Sequence, residues 1–444
     1  MSTDTIARFV RDVKFKNLPS EVTARAKVAI RDHLGVMLAA AHDRAVQAAG
    51  SVARNMGGAR EATLIGTAEK VPVNLASMVG AVMARTLDMD DGAYRQTGHL
   101  AHAGGVVVPC ALSLAEWRNA TGKELIEAAA AAYEVTLRAG WIISLWKMFA
   151  PAGMAGTYGA AAAGAKLMNL DAQKTKDALG VAEAHCLYPS KAKRFDKTVM
   201  TKEAAGWGAM TGVTAALLAQ AGFEGPDTLF DLSEYNREPL ASLGSEWEIM
   251  RLYFKPYSSC RFTHAPLDGV FELIGKHSLS ADAVKEIIIG VSFPAAVKLF
   301  STYNPPNIWQ AQFSLPYVVA AALSEGKVGP DQFTDAKLGD EAIRSQAEKV
   351  TLVADDEAGA LASGKGMRSC RVKIVTHDGR AFETFVGYPK GSPENPMTEE
   401  ELSSKFVELA ATALGSEKAG EVLKELNRLE EIDNISRIIE KLRI

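Results

Sequence analysis

The chain has 444 residues, with 49 Lys and Arg against 53 Asp and Glu, a net charge of −4. That balance leaves no basic footprint for nucleic acid or anionic lipid, and a 48% apolar share is ample for a large core. No apolar run approaches the roughly 20 residues of a membrane helix. The N-terminus, MSTDTIARFVRDVKFKNLPSE, lacks a secretory apolar segment, and the four cysteines (Cys110, Cys186, Cys260, Cys370) form no CxxC pair. The expectation is a cytoplasmic globular protein with neither a disulfide framework nor a thiolate zinc site.

The first part of the chain reads as helical. Ser20 is placed to cap EVTARAKVAIRDHLGVMLAAA. VPVNLASMVGAVMARTLD keeps helical spacing for about five turns. Thr121 and Glu124 have capping-box spacing ahead of ELIEAAAAAYEVTLRAGWIIS. MAGTYGAAAAGAKLMNL, AQKTKDALGVAEAHCL and KEAAGWGAMTGVTAALLAQAG follow, rich in Ala and Gly, as tightly packed helices. After about residue 265 the pattern changes. VKEIIIGVSF and KVTLVAD read as strands. AQFSLPYVVAAALSEG is a helix with Pro316 in its first turn. CRVKIVTHDGRAFETFVG is a hairpin whose Asp378-Gly379 suits a tight turn with positive φ. A Pro/Gly-rich connection then leads to a helical tail from about Thr398. The predicted class is mainly α with an α+β second domain: an all-helical domain from residues 1–267 and 393–444, and an inserted α+β lid over residues 268–392.

The chemistry concentrates in TLDMDDGAYRQTGHLAHAGG, residues 86–105. Asp88, Asp90 and Asp91 precede His99 and His102, and the stretch is open to three readings: a metal site, an acid–base site, or a polar loop between helices. The two histidines lack HExxH spacing, and no distant Cys/His cluster completes a ligand set. Gly153, Gly156 and Gly159 are spaced by three rather than as GxGxxG, which suits helix packing and not a nucleotide. Acid–base chemistry on a small anion fits better. SKAKRFDKTVMTKEAAGWG carries Lys191, Lys193, Arg194, Lys197 and Lys202, the last at a helix start where amides and an ammonium converge on an anion. FKPYSSCRFTHAPLDG adds Lys255, Tyr257, Arg261 and His264, and Tyr317 stands on an otherwise apolar helix.

Taken in order, RTLDMDDG, HAGGVVVPCALSLAEW, GAAAAGAKLMNLDAQKTKDALGVA, VMTKEAAGWGAMTGVTAALLAQAGFEGP, FKPYSSCRFTHAPLDG, AQFSLPYVVAAAL and CRVKIVTHDGR resemble the MmgE/PrpD family over nearly the whole chain. That family includes 2-methylcitrate dehydratases, cis-aconitate decarboxylases and iminodisuccinate epimerases. The resemblance implies a homodimer, catalysis without metal or organic cofactor, a small anionic carboxylate substrate, and an active site between the domains. It carries catalytic roles to Asp88, His102, Lys202, Lys255 and Tyr317; beside them, Arg95, His99 and Arg261 are candidates for substrate binding that no family motif supplies. His102 would move the proton, oriented by Asp88. Lys202 and Lys255 would stabilise enolate-like charge, and Tyr317 would donate a proton or hydrogen bond. Two departures stand out. Gly92 occupies a position where many members have Thr or Ser, and Ala150-Pro151-Ala152-Gly153 stands for His-Pro-Thr-Gly, with Lys147 or Trp146 as neighbours able to compensate. The expected activity is a lyase, a hydratase or dehydratase of a di- or tricarboxylic hydroxy acid. The alternatives are decarboxylation or epimerisation of a related acid, or a non-catalytic carboxylate binder.

Overall fold

The computed structural model describes residues 2–95, 98–143, 151–186, 200–231, 236–365 and 368–444. The protein is mainly α with a smaller α+β part. Helices Ser20–Ala39, Val73–Thr86, Gly104–Trp117, Gly122–Ile142, Pro151–Leu167 and Met200–Gln220 form the central stack. Thr121 and Glu124 close the expected capping box, each satisfying a donor that the first turn leaves open. One buried apolar cluster runs from Ile6 to Phe254 and resumes with Leu402, ending at Leu442. The tail helix Glu399–Leu414 seats Phe406 against Gly35, where an added Cβ would come within 3.2 Å of the ring.

The Ala/Gly-rich helices pack backbone to backbone. A Cβ at Gly156 would lie 2.7 Å from Val106, one at Gly159 would strike the Thr136 hydroxyl, and one at Gly212 the Thr157 carbonyl. The glycine spacing read in the sequence is therefore a packing face. Among the described residues no helix is long and apolar enough to cross a membrane.

A second buried cluster holds residues from Ala265 to Ile374. Its frame is a four-stranded sheet in the order Val350–Ala354, Val284–Val291, Cys370–Thr376, Ala381–Val386. The first two strands are parallel and the other neighbours antiparallel. Cys370, Val372, Ile374 and Thr376 alternate inward, and helix His264–His277 lies on them with Gly269 facing Val372. The hairpin turn differs in detail from a two-residue type. Only Gly379 has positive φ (86°), Asp378 does not, and Thr376 closes the loop on Arg380. This is a three-residue loop with glycine in the left-handed position.

The Asp/His stretch is neither a plain loop nor helix. Gly92–Arg95 and Gly98–Ala101 form a hairpin, and Leu252–Tyr253 adds a third strand beside Gly92–Arg95. That pairing brings the segment carrying Lys255 against the aspartates. The chain from residue 388 onward returns to the same place, where Phe254 donates its backbone N–H to the Gly391 carbonyl at 3.0 Å.

Candidate active site

Helix Val73–Thr86 ends by reversing at Asp88, whose φ of 53° is left-handed, a conformation that Asp tolerates better than most residues. The reversal turns three successive acidic side chains in different directions. Asp88 accepts from Lys255 Nζ through both its carboxylate and its carbonyl, each at 2.9 Å. Asp90 Oδ2 takes Arg85 and lies 3.0 Å from His102 Nδ1, while its Oδ1 is 3.7 Å from Lys255 Nζ. Asp91 accepts from the Tyr133 hydroxyl at 2.6 Å and from the Gly104 N–H at 2.9 Å. It thereby caps the helix that begins at Gly104. His33 Nε2 stands 3.9 Å from Asp91 Oδ1, with its Nδ1 2.9 Å from the Ala29 carbonyl.

All three carboxylates are buried, so their charge states follow from their partners. Burial opposes ionisation of Asp90, but Arg85, Lys255 and His102 outweigh it and hold its carboxyl well below the ordinary range. Asp91 goes the other way. Burial raises it against the pull of His33, Tyr133 and Gly104. The backbone beneath is tied from the tail: Lys405 reaches Asp32 at 2.7 Å and donates to the Met89 carbonyl at 3.1 Å.

His102 Nδ1 also lies 2.8 Å from the Asp91 carbonyl. A carboxylate and a carbonyl can only accept, so Nδ1 must carry the proton. In the neutral ring the lone pair is then on Nε2. Edge-on to His102, with ring centres 6.4 Å apart, stands Tyr253. It is buried, stacked on Tyr94 at 5.2 Å and covered by the Arg261 guanidinium at 4.6 Å. Its hydroxyl is buried with no hydrogen-bond partner among the described residues. Burial pushes this phenol well above its usual range, so it stays protonated. Tyr253 also lines a cavity of about 600 Å³, shared with Tyr94, Arg95, Arg251, Arg261 and Arg368.

Residues 4–236 match the family model of the MmgE/PrpD N-terminal domain, and residues 257–431 that of the MmgE/PrpD C-terminal domain. The chain belongs to the MmgE/PrpD family. Cis-aconitate decarboxylase of Homo sapiens is 24% identical over 465 aligned residues, covering 98% of this chain and 93% of the relative. Cis-aconitate decarboxylase of Aspergillus terreus is 24% identical, covering 99% and 95%. A cis-aconitate decarboxylase-like protein oryM of Aspergillus oryzae is 23% identical, covering 98% and 96%.

Within this MmgE/PrpD chain the candidate residues divide. His102, Asp88 and Lys255 share one cluster, but the carboxylate on His102 is Asp90 and not Asp88, which is taken by Lys255. Lys255 itself is fully buried and paired, not an open cation. Tyr317 lies in the second buried cluster against Phe333 and donates its hydroxyl to the Gln332 carbonyl at 2.6 Å, so the structure does not bring it to His102. Arg95 is spent on Glu248 and stacks on Trp141 at 3.7 Å. Arg261 is buried and clamps the turn at 389–392 through Pro389, Lys390 and Ser392 oxygens. His99 pairs through its backbone with Tyr94, and Lys202 lies in helix Met200–Gln220, but both side chains are outside the described residues. So are residues 144–150, with Trp146, Lys147 and Ala150, and residues 187–199, with Lys191, Lys193, Arg194 and Lys197.

The Gly92 departure has a steric cause. A Cβ there would strike the Tyr253 hydroxyl and sit 2.5 Å from Cζ of the same ring. A tyrosine hydroxyl thus occupies the space that a Thr or Ser side chain at 92 would need. Sequence reasoning passed over Arg85, Asp90 and Tyr253 as site residues. Asp90 was visible as one of three aspartates. Tyr253, two positions before Lys255, has no local signal, because only pairing of distant strands brings it over Gly92.

Proposed function

We propose that this protein is a lyase that moves a proton at a carbon next to a carboxylate of a di- or tricarboxylic acid, with His102 as the acid–base group. The observation that carries the reading is the fixed His102 tautomer, its Nδ1 proton shared between Asp90 and the Asp91 carbonyl. Asp88 and Asp90 are matched by Lys255 and Arg85, so these four groups sum to zero. Protonating His102 leaves the cluster positive, which an anionic substrate offsets.

Within that class, decarboxylation is the first reading. It is supported by the activity named for the relatives and by the commitment of Tyr317 to the second buried cluster. The C–C bond to one carboxylate breaks, carbon dioxide leaves, the electron pair stays on carbon, and the His102 imidazolium delivers a proton to it. Dehydration is the second reading, favoured by the Tyr253 hydroxyl. His102 would take the C–H proton while a phenol proton accompanies the departing hydroxide as water. The same proposal includes a cytoplasmic homodimer and the division into residues 1–267 with 393–444 and a lid of 268–392. Light scattering on the purified protein tests the dimer.

The deciding experiment incubates the protein in deuterated water with citrate, 2-methylcitrate and cis-aconitate, followed by ¹³C NMR. Carbon dioxide release or C–H exchange is expected in the wild type and absent in His102→Gln. Turnover that survives His102→Gln sinks the proposal. Ligand-raised melting with no reaction of any acid favours a carboxylate binder instead.

A further inference from the structure

Four arginines line the cavity beside Tyr253, and three of them are already engaged. Arg95 pairs with Glu248. Arg251 shares that carboxylate at 3.4 Å and approaches Glu246 at 3.8 Å. Arg261 spends its donors on the 389–392 turn and contacts His264 Nδ1 at 3.2 Å. The fourth, Arg368, is different. It has no hydrogen bond or ion pair among the described residues, and its Nε is buried without a partner. Its guanidinium lies over three rings, 4.5 Å from Tyr94, 4.4 Å from Phe262 and 5.3 Å from Phe293.

Aromatic faces attract a guanidinium but take none of its in-plane N–H donors. A half-buried arginine held this way is oriented, partly stripped of water, and still has donors to give. That is the state in which a bidentate carboxylate gains most, because the fork is preset. The rings also come from separate parts of the chain. Tyr94 belongs to the strand that follows the aspartates, and Phe293 to the segment after strand Val284–Val291. Tyr94 stacks on Tyr253, which in turn meets His102, so a chain of ring contacts links Arg368 to the acid–base residue.

We propose that Arg368, held by Tyr94, Phe262 and Phe293, is the residue that receives a substrate carboxylate in this cavity, away from the carbon that reacts at His102. The inference deepens the proposed function and rests on a polycarboxylate being the substrate. Its test is separate. Isothermal titration of the full-length protein with tricarballylate, an unreactive tricarboxylate, reads binding alone. Arg368→Gln should weaken binding ~10-fold or more, as losing a charged hydrogen bond implies. Arg368→Lys keeps the charge without the fork and should recover only part of the loss. Arg380→Gln, at the hairpin turn outside the cavity lining and paired with Asp378, should bind as the wild type does.

Wild-type affinity in both Arg368 variants overturns the inference, as does a wild type that binds no tricarballylate. If Arg368→Gln fails to fold, the Arg368→Lys titration decides. Binding lost in the Arg368 variants, with no acid turned over by the wild type, removes the lyase reading and leaves the subsite. Turnover that depends on His102 but tricarballylate binding indifferent to Arg368 does the reverse.

Discussion

The Nδ1 atom of His102 stands 3.0 Å from Asp90 and 2.8 Å from the Asp91 carbonyl, so a single N–H is held by two neighbouring residues of one turn. The turn is rigid because each carboxylate beside it is fixed from a different part of the chain: Asp88 by Lys255, Asp91 by Tyr133, and the intervening Met89 carbonyl by Lys405. A ring oriented this way changes protonation on Nε2 without losing its place.

Asp90→Asn follows directly. The amide presents a donor as readily as an acceptor, so the His102 tautomer is no longer enforced, and Arg85 loses its closest counter-charge. Turnover should fall by about 100- to 10,000-fold, the range of general acid–base assistance. Asp88→Asn leaves the His102 contact intact and should affect stability more than the rate profile against pH. Equal rates and identical pH profiles for the two variants would remove Asp90 from this role.

Lys255 is fully buried between Asp88 and Asp90. Lys255→Met therefore leaves the buried Asp88 carboxylate without its closest cation. The expected loss is about 3–5 kcal/mol of stability, typical of breaking a buried pair. Lys255→Met combined with Asp88→Leu should be less destabilising than the sum of the singles, since both partners then go. Denaturant titration of the three variants measures this, and strict additivity would contradict the pairing.

Tyr253→Phe removes a hydroxyl with no hydrogen-bond partner among the described residues. Stability should stay level or rise slightly, because an unsatisfied buried donor is taken away. If the phenol serves the reaction, the rate should nevertheless drop about 100-fold, as when a donor to a developing charge is deleted. Gly92→Thr should do the opposite to the fold, overpacking the Tyr253 ring at a cost of about 1–3 kcal/mol. A calorimetric melt and a turnover assay on each variant separate the two effects.

Local signals were enough for much of this molecule. The Thr121–Glu124 capping box, Pro316 in a first turn and the Gly379 turn act over three or four residues, and each is found in place. The glycines at 156 and 159 were legible for the same reason. What adjacency does not encode is the partner across the fold. Asp88 and Asp90 are two residues apart, and only the path of Lys255 and Arg85 decides which of them is left for His102. Tyr317 shows the limit from the other side. A lone phenol on an apolar helix looks available, yet the 3-10 turn at Pro330–Gln332 supplies it with a carbonyl. Tyr317→Phe should accordingly lose about 1 kcal/mol of stability with little change in rate.

Two buried groups give stability opposite dependences on pH. His264 accepts from Arg261 at Nδ1 and lies 3.2 Å from the Ser259 carbonyl at Nε2, an arrangement for the neutral ring. Burial, with Arg261, Lys255 and Lys405 nearby, holds it well below its usual value. The unfolded chain takes up this proton near pH 6.5, where the folded one does not. Its contribution is thus complete above about pH 6.5 and is lost as pH falls toward the folded value. Glu134 behaves in reverse. Burial raises its carboxyl to about 7 despite Arg138, so the folded state keeps a proton that the unfolded state gives up near 4.5. That contribution is complete below about pH 4.5 and fades as pH rises through about 7. Melting temperatures at pH 5.5 and 7.5 separate the two. His264→Gln should show a smaller loss than the wild type on moving to pH 5.5, and Glu134→Gln a smaller loss on moving to pH 7.5. If both variants track the wild-type curve, neither group is held in the state that its surroundings require.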